Sequence, residues 1–157
     1  MEDFQNDPDM IGQKIDFSNA FNAVKRDVFL NECFQHFPQI YKWVHFCYSQ
    51  HSFLFFGNFV IPSEAGVQQG DPLGPFLFCL VLQVMVKKGN QSIPILSLNN
   101  WYMDDGSLFG KVKDVLKAWS IIRDEGPDLG LFVNISKCEF LLQYLMHAFK
   151  TLNQKLS

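Results

Sequence analysis

Residues 96–109 read Leu-Ser-Leu-Asn-Asn-Trp-Tyr-Met-Asp-Asp-Gly-Ser-Leu-Phe, and the way they fold decides the class of the chain. Apolar and aromatic side chains flank Asp104-Asp105-Gly106, and Asp-Gly is a common corner of a tight hairpin. The stretch predicts two antiparallel strands joined at the acidic pair. Neighbouring carboxylates at a turn repel one another unless a cation offsets the charge. A third carboxylate, Asp16, closes a short β-type run over residues 12–17, Gly-Gln-Lys-Ile-Asp-Phe. Together the three would form a hard-oxygen site suited to Mg²⁺. Taken alone, the pair is also how an ordinary turn looks.

Outward from this hairpin the chain alternates strands and helices. Residues 52–61 are aromatic and β-branched on both sides of Gly57-Asn58, a second hairpin signal. Ser18 and Asn19 stand ready to cap a helix after the first run. Residues 20–50 carry Val24, Val28, Phe29 and Cys33, then Ile40, Trp43, Val44 and Cys47, at helical spacing, and Pro38 splits them into two helices. A Gly/Pro-rich loop over residues 62–72 leads into a buried helix expected to end near Lys88, with a loop over residues 89–94. Val112, Val115, Leu116, Trp119 and Ile122 form one apolar stripe, with Lys113, Lys117 and Asp124 off it, so this helix is amphipathic. Gly126-Pro127 ends it. Residues 131–142 return as strand and loop. Two hairpins with interspersed helices predict an α+β fold: an antiparallel sheet with helices packed on one face. The expected organisation is a polar lead-in over residues 1–11, one domain over residues 12–142, and a weak helix or tail over residues 143–157.

With 157 residues, 48% hydrophobic and 18% charged, the sequence describes a globular domain with a real core. The 17 phenylalanines imply an aromatic core or rings that face a partner. A net charge of −3, from 13 basic and 16 acidic residues, argues against strong nucleic-acid binding by the chain alone, because phosphate contacts supply most of that affinity. Cys33, Cys47, Cys79 and Cys138 show no C-x-x-C spacing and read as buried thiols of a reducing compartment. The N-terminus lacks the pattern of a signal peptide, and the apolar run over residues 73–86 falls short of the ~20 residues that span a bilayer. The expectation is an intracellular protein, nuclear or cytoplasmic, neither secreted nor in a membrane.

Four blocks in order carry a family resemblance. Lys14-Ile15-Asp16-Phe17-Ser18-Asn19-Ala20-Phe21-Asn22 resembles the first aspartate block of reverse transcriptases. Gly66-Val67-Gln68-Gln69-Gly70-Asp71-Pro72-Leu73-Gly74-Pro75 resembles their Gln-Gly-x-x-Leu-x-Pro block, and Trp101-Tyr102-Met103-Asp104-Asp105 their Tyr-x-Asp-Asp block. Gly130-Leu131, Asn134 and Lys137 resemble the Gly-Leu…Asn…Lys block. The wording is closest to non-LTR (LINE-like) retrotransposons.

The resemblance implies a polymerase palm performing two-metal nucleotidyl transfer on an RNA template with a DNA primer and deoxynucleoside triphosphates. It implies two Mg²⁺ ions, replaceable by Mn²⁺, held by Asp16, Asp104, Asp105 and the carbonyl of Phe17, with Asp105 the weaker member. It implies that Lys137 protonates pyrophosphate. Phe21 would exclude a 2′-hydroxyl, and Gln69, Gly70, Tyr102 and Met103 would touch nucleotide or template. The fingers that grip the triphosphate and the thumb are expected from a longer polyprotein, and the chain alone is expected to be inactive.

Two other readings stand beside this one: a non-catalytic retroelement remnant that at most binds metal or nucleic acid, and the palm of an RNA-directed RNA polymerase. Cys33, His36, His45, Cys47 and His51 fit no zinc-finger spacing, and their cysteines fall on apolar helix faces.

Overall fold

The computed structural model describes Asp7 and residues 9–68, 70–92 and 96–142; Gln69, most of the expected lead-in and the expected helix over residues 143–157 lie outside the described residues. In chain order the elements are β1 (Met10–Ile15), α1 (Ala20–Ala23), α2 (Arg26–His36), α3 (Pro38–Tyr48), β2 (Ser52–Phe56), β3 (Phe59–Ser63), α4 (Gly74–Ser92), β4 (Leu98–Tyr102), β5 (Asp105–Lys111), α5 (Val112–Glu125), a 3₁₀ turn (Gly126–Leu129) and β6 (Glu139–Leu142). The fold is α+β with antiparallel sheets, as the two hairpins implied. The chain divides into two compact units: the described residues up to Phe17, from Lys88 to Asp124 and from Val133 onward make one; residues 18–87 and 125–132 make the other.

The first unit is built on a four-stranded sheet in the order β4-β5-β1-β6, every pair antiparallel. Ile11, Gln13 and Ile15 of β1 stand opposite Gly110, Leu108 and Gly106 of β5, and all six are buried. Between them, Lys14 stands opposite Ser107 on the open face. This is the two-residue period of a strand. β1 begins at Met10, two residues before the expected run, because the ladder continues to Met10 opposite Lys111. The acidic hairpin also differs in detail. Its two-residue turn is Met103-Asp104, and Asp105 already pairs with Tyr102 as the first residue of β5.

In α5 the buried positions are Val115, Ala118 and Ile122, whereas Leu116 is 46% exposed. A repeat of 3.6 residues through Val115 and Ile122 selects Ala118 in place of Leu116. Trp119 of α5 meets Phe140 of β6 edge to face, at a centroid distance of 6.0 Å.

The second unit packs α1, α2, α3 and the first part of α4 with the β2–β3 hairpin. Pro38 opens α3 at its first position, where a missing N–H costs nothing. Asn19 occupies the N-cap of α1, but its side chain accepts the Asn22 amide at 2.6 Å and caps no backbone N–H. The buried line of α3 is Val44, as expected, and Tyr48; Trp43, also expected on the stripe, is 62% exposed. α4 buries Leu77, Phe78, Leu80, Val81, Leu82 and Met85 and continues past Gly89, where a loop was expected. The β2–β3 turn is at Gly57-Asn58, with Gly57 at φ 57°, as the sequence predicts. Unlike the sheet, this hairpin leaves its apolar side chains open: Phe53, Phe55, Phe56 and Phe59 are all exposed.

Gly130 shows why its block demands glycine. Its φ is 80°, and a Cβ there would lie 2.0 Å from the Ala23 carbonyl oxygen. Gly130→Ala is expected to lower stability by at least about 2 kcal/mol through strain and backbone displacement. Urea unfolding followed by circular dichroism would measure it, and an unchanged midpoint would contradict this close approach.

Candidate active site

Asp16 and Phe17 extend one step beyond the paired end of β1, where Ile15 faces Gly106. The ladder ends there, with Asp105 next to Gly106 at the start of β5 and Asp104 in the turn that precedes it. The family resemblance makes Asp105 the weaker metal ligand.

The segment after Phe132 holds Asp16 from the other edge. The Asp16 carbonyl accepts the Asn134 N–H at 2.8 Å, and the Ser18 N–H donates to the Phe132 carbonyl at 2.7 Å. Phe17 and Val133 therefore face each other without bonding directly. Backbone groups alternate along an extended chain, so the Phe17 carbonyl turns toward the edge on which β5 lies. The Asp16 N–H also donates to Cys138 Sγ at 3.4 Å. Burial pushes the Cys138 thiol above its usual value, and the protonated sulfur points its weak donor at the Asp16 carbonyl, 3.7 Å away.

The carboxylate of Asp16 is less well served. Lys137 Nζ lies 3.7 Å from Oδ1, outside hydrogen-bond range. Among the described residues this buried oxygen has no hydrogen-bond partner, a condition that destabilises a protein unless something else satisfies the atom. Carboxylates and a backbone carbonyl are the hard donors that Mg²⁺ takes, so Asp16, Asp104, Asp105 and Phe17 suit such an ion in chemistry. Among the described residues, however, no three His, Cys, Asp or Glu side chains already converge on one metal position.

Packing fixes the hairpin against β1. The Trp101 ring stacks on Phe17, with centroids 5.6 Å apart and planes 9° from parallel, and its Nε1–H donates to Asn99 Oδ1 at 2.8 Å. The ring lies across Gly106, where a Cβ would come within 2.5 Å of it. Met103 turns the corner at φ 54°, a conformation uncommon outside glycine and costly for a long side chain. Tyr102 is exposed.

The remaining candidates belong to the second unit. Phe21 is half-buried and stacks on Phe78 with centroids 4.5 Å apart, which fixes one face of its ring. Gly70 takes φ 89°, and nothing stands within 4 Å of where its Cβ would be. Gln69 lies outside the described residues. His36 and His51 pair with Glu32 and Glu64, and Cys33 is buried on the core side of α2. Two residues of the first unit, Trp101 and Cys138, have structural roles around Asp16 and Phe17 that the sequence barely signals. The first is marked only by sitting next to the tyrosine of its block, and the second by immediately succeeding Lys137.

An antiparallel sheet covered by helices is palm-like in its class, and the comparisons with known proteins agree on the family and the fold. The sequence profile described as "Reverse transcriptase (RNA-dependent DNA polymerase)" matches residues 4–155, and the chain belongs to this family. No curated protein sequence matches it. Among solved structures it is similar to apo telomerase from Candida tropicalis, with a TM-score of 0.71 at 14% identity over 90% of this chain and 30% of that one. A form of that telomerase truncated from its C-terminal domain gives 0.69 at 18% identity, over 89% of this chain and 32% of that one. Telomerase from Candida albicans in complex with a fragment of telomeric RNA gives 0.68 at 14% identity, over 89% and 28%. The chain thus spans about a third of the length of the telomerase chains it matches.

Gly106→Ala is expected to push Trp101 off Phe17, lowering stability by about 1–3 kcal/mol, the range for overpacking, and shifting tryptophan emission. Fluorescence-monitored unfolding would register both. If neither changed, the ring would not lie over Gly106.

Proposed function

We propose that this chain is the catalytic palm of an RNA-directed DNA polymerase of the non-LTR retrotransposon kind, working as part of a longer protein. The observation that carries the reading is the buried Oδ1 of Asp16, which accepts no hydrogen bond among the described residues, set at the strand end beside the hairpin of Asp104 and Asp105. Two Mg²⁺ ions, or Mn²⁺ in their place, would be held by Asp16, Asp104, Asp105 and the Phe17 carbonyl. Such ions lower the pKa of a primer 3′-hydroxyl and neutralise the charge of a triphosphate. A site that lacks a closed cage of side chains suits this use, since Mg²⁺ at polymerase sites is commonly completed by substrate phosphates.

The other candidates take the remaining roles. Lys137, an ion-pair distance from Asp16, carries the proton that the departing pyrophosphate needs. Phe21, backed by Phe78, presents a flat ring that excludes a 2′-hydroxyl, which favours deoxynucleotides over the RNA-polymerase reading. Gly70 offers open backbone to nucleotide or template, with Gln69 beside it in sequence, and Tyr102 and Met103 are further candidates for contact with substrate. An RNA template is supported by the Candida albicans telomerase, solved with a telomeric RNA fragment. The groups that orient the triphosphate belong to other parts of the longer protein. Because positioning supplies up to ~7–11 kcal/mol of catalysis, the chain alone should extend no primer. A non-catalytic remnant is the second reading.

Metal binding separates the two. Wild-type chain is expected to bind Mn²⁺ weakly, and a combined Asp16→Asn, Asp104→Asn variant to lose that binding, as read by water-proton relaxation enhancement. Equal enhancement from both proteins would favour the remnant. In the full-length polymerase, Phe21→Ala should raise ribonucleotide incorporation relative to deoxynucleotide by about tenfold or more, since a steric gate of about 1–2 kcal/mol is removed. Primer extension with each nucleotide type would test it, and an unchanged ratio returns Phe21 to a packing role.

A further inference from the structure

The turn that leads into α4 is held by a side chain with no place in the carboxylate site. Tyr48, at the end of α3, is 3% exposed. Its ring meets Phe29 edge to face at 5.2 Å, and the Arg26 guanidinium lies over it at 5.4 Å. Its hydroxyl donates to Asp71 Oδ2 in a short hydrogen bond and accepts the Gln68 N–H at 3.2 Å. The same Asp71 carboxylate takes the Leu73 N–H on Oδ1 at 2.8 Å, and the Asp71 carbonyl takes the Gly74 N–H at 2.9 Å. One phenol therefore ties both flanks of the turn that contains Gly70.

Arg26 anchors the approach to this turn. It is buried and donates to the carbonyls of Gly66 at 3.0 Å, Ser63 at 2.7 Å and Ala65 at 3.2 Å, and to Ser63 Oγ at 2.9 Å. The chain from Ser63 to Gly66 is thus held from one side by Arg26, and Gln68, Asp71 and Leu73 are held from the other. An open cavity of about 600 Å³ lies beside the turn, with Trp43 and Cys47 on one wall and Gly70 and Asp71 on the other.

We propose that Tyr48 is a positioning residue for nucleotide binding: through Asp71 and the Gln68 amide it holds the turn so that the open backbone of Gly70 meets the incoming nucleotide and template. This rests on the polymerase reading above. Burial first, and then the Asp71 hydrogen bond, push the Tyr48 hydroxyl up to about 12, so it remains a donor throughout the neutral range.

The latch can be read in this chain without any activity. In Tyr48→Phe, hydrogen exchange at the amides of Gln68, Leu73 and Gly74 should quicken by about tenfold, the size of one or two lost hydrogen bonds, while the β1–β5 ladder is unchanged. Asp71→Asn is the second variant should the first fail to fold. It should lower the ultraviolet titration of Tyr48 from about 12, because Arg26 and Asp71 are the charged groups that act on the ring and the carboxylate is the one that raises it. In the full-length polymerase, Tyr48→Phe should raise KM for deoxynucleotide about tenfold and change kcat far less. Unchanged exchange in both variants overturns the latch. Faster exchange with an unchanged KM, in an enzyme whose wild type extends primers, overturns the positioning role alone. A wild type that extends no primer, with Mn²⁺ binding indifferent to Asp16, instead overturns the polymerase reading and takes the nucleotide role of Tyr48 with it.

Discussion

The register between β1 and β5 is the constraint on which the candidate site depends. With Ile15 opposite Gly106, the side chains of Ile11, Gln13 and Ile15 go inward, and Lys14 takes the open face with Ser107. A slip of one residue would exchange the two faces along the whole ladder, turning Lys14 inward and the isoleucines out. Register here is fixed three times over: by the inward apolar row, by the two-residue turn at Met103-Asp104, and by the Trp101 ring lying between Gly106 and Phe17.

The hairpins, the split at Pro38 and the α+β class were legible because they rest on local signals: turn residues, a missing N–H, alternation of period two. The candidate site residues could be named as a set through motif order, since the four blocks resemble family wording spread along most of the chain. Their pairing was less legible. That Asp105, and not Asp104, starts β5 results from a turn at Met103-Asp104 that no propensity favours, as Met103 takes a left-handed φ. The stripes of α3 and α5 were legible in part: Val44, Val115 and Ile122 are buried as expected, whereas Tyr48 and Ala118 are buried while Trp43 and Leu116 are exposed. Burial obeys helix geometry before it obeys hydrophobicity.

Arg26 and Tyr48 escaped for a different reason. A buried arginine that bonds to backbone carbonyls looks, in sequence, like any surface arginine at the start of a helix. Its function is to satisfy acceptors in an irregular segment that has no ladder of its own. Only the three-dimensional path of residues 63–66 shows which carbonyls those are. Conversely, glycines could be read more deeply than their frequency suggests. Gly106 makes room for a ring, and Gly130 for a carbonyl, so each records a close approach that another residue would block.

The sheet order also has a bearing on how the protein is made. Of the described strands β1 leaves the ribosome first, yet both strands that flank it, β5 and β6, are translated much later. Until then an apolar strand with two open edges must wait, and pairing over long sequence separation is slow because the loop must close before any contact rewards it. The helices of residues 20–48 make local contacts and can form meanwhile. Synthesis of this region thus exposes the segment carrying Asp16 for most of its duration, and this is the interval in which chaperones, or premature pairing with another nascent chain, would compete for it.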